Sequence, residues 1–156
     1  MLFRSGPGES LGYKPAHVAT VLSAMEGVTT EGTGTRVFAG APYRSGGKTG
    51  TAQAVTIGQK DKYNAARMAE RQRDHALYSA FAPADKPQVA LAVIVENAGF
   101  GAASAAPIAR RVFDYLLQGR YPSEEDIRLT RIGQTAGPIG PFRSASEVEW
   151  PPAALR

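Results

Sequence analysis

The chain has 156 residues, 43% of them hydrophobic, a formal net charge of +4 and no cysteine; that is enough apolar material for one packed core, with disulfides, cysteine metal sites and thiol catalysis excluded. The basic excess is spread out, with no arginine-rich block and no interleaved aromatics, which argues against nucleic acid as a partner. His17 and His75 stand too far apart to suggest a metal site, no cofactor motif is evident, and no apolar run is long enough to span a bilayer.

Met1–Ser5 is too short and polar for a signal peptide, and the unpatterned residues 1–14 fit a chain that continues upstream. Pro15–Met25 predicts a helix. Val18, Val21, Leu22 and Met25 fall at i, i+3, i+4 and i+7 on one face, Pro15 suits the first turn and Gly27 a C-terminal cap. Thr29–Gly34 is turn-rich, with Gly32 and Gly34 as breakers, and Arg36–Ala41 reads as a short extended piece. A strand follows from about Gly47 to Ile57. Gly58–Asp74 is charged and reads as a solvated insertion, with helix formers over Asn64–Gln72.

Ala76–Ala82 alternates as a strand should, and Pro83–Pro87 makes a tight connection. Gln88–Glu96 is apolar almost throughout, the mark of a central strand buried on both faces, and the short link predicts an antiparallel hairpin. Ser104 is a candidate N-cap for a second helix with Ile108, Val112, Tyr115 and Leu116 as its buried face. Gly119 would end it, and Ala102, Ala103, Ala105 and Ala106 would allow close approach to the sheet. Beyond Tyr121, Pro, Gly, Ser and charge dominate, so residues 123–156 read as a tail without order, leaving 1–122 as the folded part. Trp150 is the only large aromatic of that tail, and one tryptophan does not make a site.

The most informative stretch is Gly46-Gly47-Lys48-Thr49-Gly50-Thr51-Ala52-Gln53. Lys-Thr-Gly is one of three motifs of serine acyl-transfer enzymes of the penicillin-binding and β-lactamase type. The other two, Ser-x-x-Lys and Ser-x-Asn, would lie upstream. A phosphate-binding loop fits poorly, because its first glycine would fall at Pro42 and β-formers follow the motif where a helix should open. Ser45-Gly46-Gly47-Lys48 matches Ser-x-x-Lys in letters only, since two glycines oppose the helical turn that would bring the lysine onto the serine. The plain alternative is a glycine-containing strand with a solvated lysine.

Four strings together carry a resemblance: Tyr43–Gln53, His75–Pro83, Leu91–Asn97 and Ala105–Arg110, in the right order and spacing. From about Pro15 to Pro122 the chain resembles the C-terminal part of class B penicillin-binding proteins, the elongation-type peptidoglycan D,D-transpeptidases in particular. The resemblance implies an α+β serine transpeptidase fold, β-lactamase-like, of which this chain supplies the last three antiparallel strands and flanking helices. It lacks the nucleophile helix, the Ser-x-Asn element, two strands, the pedestal domain and the membrane anchor, so the chain alone is expected to be inactive.

The resemblance also implies roles. Lys48 would raise the positive potential and link to the missing Ser-x-Asn serine. Thr49 and Thr51 would hold the carboxylate of a stem peptide or β-lactam. The Thr51 N–H would be one oxyanion donor, and Gly50 would keep the strand surface open. Implied partners are peptidoglycan stem peptides, β-lactams and a membrane glycosyltransferase of the elongation machinery; the implied location is the periplasmic face of the bacterial inner membrane. Two other readings share the motif: a non-catalytic binding module, and a piece of a β-lactamase or D,D-carboxypeptidase relative. The expected geometry is a motif strand at a sheet edge, pairing with Ala76–Ala82, which in turn pairs with Gln88–Glu96.

Overall fold

The computed structural model describes residues 10–55, 64, 68–131 and 143–144. Helix α1 (Pro15–Thr30) begins on Pro15 but runs through Gly27, five residues past the expected end. Its last turn is held from outside: the Thr29 hydroxyl donates to the Ser45 carbonyl at 2.6 Å, and the N–H groups of Glu31 and Gly32 donate to Gly27 O. These bonds outweigh the roughly 1 kcal/mol that an interior glycine costs a helix. The expected buried stripe is not buried. Val18, Val21 and Leu22 are exposed, and Thr29 is the buried residue of α1. Periodicity says which side chains share a face, whereas burial needs a partner for that face.

The piece expected to be extended is helical instead. α2 (Thr35–Phe38) is a single turn closed by the Phe38 N–H on Gly34 O, and it buries Val37 and Phe38 in the core. A buried cation explains it, as set out below.

Strands β1 (Gly46–Ala52), β2 (His75–Ala82) and β3 (Val89–Val95) form an antiparallel sheet in the order β1-β2-β3. The pairing expected from sequence is present. The register runs one for one without a bulge, so residues line up in rows across the sheet: Lys48–Ser79–Ala92, Thr49–Tyr78–Val93 and Thr51–Ala76–Val95. β1 ends at Ala52, short of the expected Ile57. The charged insertion is read as solvated, and its helix formers at Asn64–Gln72 make no α-helix among the described residues, 64 and 68–72, where Glu70–Gln72 forms one 3-10 turn.

β2, not β3, is the central strand. β3 pairs with β2 alone among the described residues, and its exposure alternates. Val89, Leu91, Val93 and Val95 are half-buried while Ala90, Ala92 and Ile94 are exposed. An apolar run is suited to two covering layers, but here a helix covers one face only.

That helix is α3 (Ala105–Gln118). It ends on Gly119, whose φ of 63° is the left-handed cap conformation and whose N–H donates to Tyr115 O at 2.9 Å. Ser104 sits at the N-cap position but makes no capping bond; its hydroxyl donates to Ala98 O instead. The predicted face is the wrong one. Ile108, Val112, Tyr115 and Leu116 point outward, while Ala105, Ala106, Ala109, Arg110, Phe113 and Asp114 are buried. Small alanines let the helix axis approach the sheet, and Phe113 fills the remaining depth beside Phe38 and Tyr43.

Arg110 and Asp114 can be buried because each satisfies the other. Arg110 Nε donates to both Asp114 oxygens at 3.0 and 2.9 Å, and its Nη1 donates to the carbonyls of Val37 and Ala39. The guanidinium stacks over Phe38 and Tyr43, and the Tyr43 hydroxyl donates to Asp114 at 2.8 Å. Burial, reinforced by the Asp114 carboxylate, pushes the Tyr43 phenol far above its ordinary pKa, so it remains a donor at any physiological pH. One buried cation thus ties α3 to α2 and to the approach to β1.

Within the segment read as a tail, α4 (Glu124–Arg131) and β5 (Arg143–Ser144) are formed, and β5 pairs with β4 (Arg120–Tyr121) just before it. Arg111 docks α4 onto α3 through both oxygens of the buried Asp126. A polar helix held by ion pairs, Arg111–Asp126 and Arg143–Glu124, leaves little trace in hydrophobic patterning, which is why composition missed it. Trp150 lies outside the described residues.

Candidate active site

β1 is an edge strand: among the described residues it pairs with β2 on one side and with no strand on the other. Partners across a ladder share a face. Lys48 therefore lies with Ser79 and Ala92, all three exposed, on the face that α3 does not cover. Thr49 and Thr51 lie on the opposite face, in line with the buried Tyr78 and Ala76. Being at the edge, Thr49 is half-buried and Thr51 is exposed. The Lys48 ammonium rests on the Thr49 carbonyl at 2.5 Å, and the Thr49 hydroxyl shares a hydrogen bond with that of Thr33 at 3.0 Å. The motif thus presents a cation on one face of an open edge and hydroxyls on the other.

Three features hold this strand in place, and sequence reasoning found none of them as such. Thr33, in the turn after α1, reaches Thr49. Gly101, in the loop before α3, is pressed onto β1: a Cβ there would overlap the Leu77 carbonyl and lie 2.6 Å from Gly50 O. Gly47 sits on Tyr78, and a Cβ at Gly47 would overlap the phenol oxygen. The glycines of the motif and of the loop were visible as letters, but their contacts are made between segments distant in sequence. That loop is pinned by its own backbone, with the Asn97 N–H donating to His75 Nδ1 at 3.0 Å and the Gly99 N–H to Asp74 O at 2.8 Å. Gly101→Ala should lower stability by about 1–3 kcal/mol, because the obstructing atoms are backbone and cannot turn away. An unchanged thermal midpoint would contradict the close approach.

Ser45 precedes β1 in non-helical backbone, as expected, and is 1% exposed. It has neither the helical turn nor the access of a nucleophile activated by the nearby lysine. Among the described residues no group of acidic, histidine or cysteine side chains could hold a metal, and no helix is long and apolar enough to cross a membrane.

A family model described as the penicillin binding protein transpeptidase domain matches residues 9–114. The chain belongs to this family. Within the transpeptidase family it is 48% identical over 94 residues to the peptidoglycan D,D-transpeptidase MrdA of Haemophilus influenzae, covering 60% of this chain and 14% of that protein. It is 52% identical over 97 residues to the MrdA of Acinetobacter baumannii, covering 62% of this chain and 14% of the relative. Among solved structures it is similar to Pseudomonas aeruginosa PBP2 in complex with WCK 5153. The TM-score is 0.56 at 36% identity, over 76% of this chain and 22% of that one. The chain therefore spans about a seventh of the curated transpeptidases it matches. The mixed helix and antiparallel sheet architecture is that of the transpeptidase domain, of which this chain supplies a three-stranded part.

Proposed function

We propose that this chain is the Lys-Thr-Gly portion of a peptidoglycan D,D-transpeptidase that cross-links stem peptides by serine acyl transfer and is acylated by β-lactams. The observation that carries the reading is the placement of Lys48 on the uncovered face of an edge strand. A nucleophile-bearing layer laid on that face would meet the ammonium, and an extended peptide laid along the free edge would meet Thr49 and Thr51.

In that assembly a serine attacks the carbonyl of a D-Ala-D-Ala peptide, a base takes its proton, and D-alanine leaves with a proton. Lys48 supplies positive potential and a hydrogen bond to a serine of the covering layer. Thr49 and Thr51 donate hydroxyls to the terminal carboxylate, and the Thr51 N–H donates to the developing oxyanion. Gly50 leaves the strand surface without a side chain where substrate approaches. The names of the relatives support this substrate class. The partner we assign is a membrane glycosyltransferase of cell-wall elongation, with the site on the periplasmic face of the inner membrane.

Labelled penicillin tests the reading. A full-length transpeptidase carrying this segment is expected to form a stoichiometric adduct by intact mass. The 156-residue chain alone is expected to form none, because its candidate serine, Ser45, is buried and off any helix. An adduct on the isolated chain, at Ser45 in particular, would overturn the assignment of the nucleophile to another layer.

A further inference from the structure

Tyr78 is the least explained residue near β1. It is 1% exposed, its ring packs beside Phe38 at 6.1 Å between centroids, and its hydroxyl has no hydrogen-bond partner among the described residues. Burial alone pushes the phenol up to about 12. An unpaired buried hydroxyl is destabilising, and a phenylalanine would fill the same ring volume without it. The hydroxyl is not idle in space. It lies against the bare Cα of Gly47, the residue before Lys48, and reaches there diagonally from its own ladder partner, Thr49.

We propose that Tyr78 is a positioning residue for acyl transfer: its ring and hydroxyl prop β1 at Gly47 and so set the height at which Lys48 and the Thr51 N–H stand. Gly47 is the matching half of the device, since any side chain there would enter the space the phenol holds. The cost of the unpaired hydroxyl is then stability given up to hold a reacting geometry, a pattern found where strain serves function. The inference rests on the transpeptidase reading and adds a residue to it that touches neither substrate nor nucleophile.

The test uses a full-length transpeptidase carrying this segment, with Tyr78→Phe and Lys48→Ala made separately. Three quantities are measured: the thermal midpoint, the penicillin acylation rate constant at saturation, and the dissociation constant before acylation. For Tyr78→Phe the midpoint should hold or rise. The acylation rate constant should fall about tenfold, since displacement of a reacting group by 1 Å costs on the order of 10²-fold and loss of one oxygen moves the strand by less. The dissociation constant should stay within about twofold, because binding tolerates small shifts that catalysis does not. An unchanged rate constant makes Tyr78 an ordinary core residue and overturns the proposal. A midpoint and rate that fall together mean that the hydroxyl is bonded and merely structural, which also overturns it. If Lys48→Ala acylates normally, the acyl-transfer reading fails and this proposal with it; if only Tyr78→Phe is silent, the prop alone is wrong.

Discussion

Replacing Lys48 by alanine in a full-length transpeptidase carrying this segment should lower penicillin acylation by about 10²-fold or more, the size typical of a preorganised electrostatic group at an acyl-transfer site. The argument is geometric. Lys48 lies on the open face of β1 beside Ser79 and Ala92, and its ammonium has no bond to an acidic side chain among the described residues, only to the Thr49 carbonyl. Nothing in the local fold requires it, so the variant should fold. The loss should therefore appear in the acylation rate while the thermal midpoint stays within a degree or two, as expected for an exposed side chain. Lys48→Arg should not restore the rate, because a planar guanidinium cannot replace a compact ammonium on a short strand. Normal acylation by folded Lys48→Ala would remove the residue from the site.

Removing the guanidinium at Arg110 should be the most damaging single change to stability. Arg110→Met leaves the Asp114 carboxylate in the interior with Tyr43 as its remaining donor, and it strips the Val37 and Ala39 carbonyls of their partner. Breaking a buried ion pair from one side costs about 3–5 kcal/mol, a large share of the roughly 5–15 kcal/mol net stability of a domain. Urea unfolding would read it directly. Adding Asp114→Leu to Arg110→Met should recover much of the loss, since the orphaned charge is then gone. A single variant that loses less than about 1 kcal/mol would mean that water reaches the pair and that the network does not tie α3 to α2.

The motif was legible because its chemistry is local. Lys48, Thr49, Gly50 and Thr51 are adjacent, strand alternation fixes which of them share a face, and the structure keeps that alternation without a bulge. The hairpin of β2 and β3 was legible for the same reason, being two apolar runs joined by a proline-flanked link.

Burial was not legible, and the errors have one origin. α1 and α3 each carry an apolar stripe at helical spacing, and both stripes face outward. The sheet instead took alanines and Phe113, together with an arginine and an aspartate that hydropathy would place in water. The α2 turn was missed because the carbonyl of its Val37 and that of Ala39 just after it are held by Arg110 from 73 and 71 residues away. β3 looked central because it is apolar on both faces, yet one face has no covering layer among the described residues.

The sequence by itself thus determined the chemistry on offer, its order along the chain and the antiparallel partners of the motif strand, all of which follow from neighbours in the chain and strand periodicity. Only the tertiary structure decided which apolar faces are covered, that a buried Arg110–Asp114 pair holds the helix to the core, and that Tyr78 stands beneath Gly47. Those outcomes depend on contacts between distant segments, where a charge is tolerated if its partner is within 3 Å and an apolar stripe stays wet if nothing packs against it.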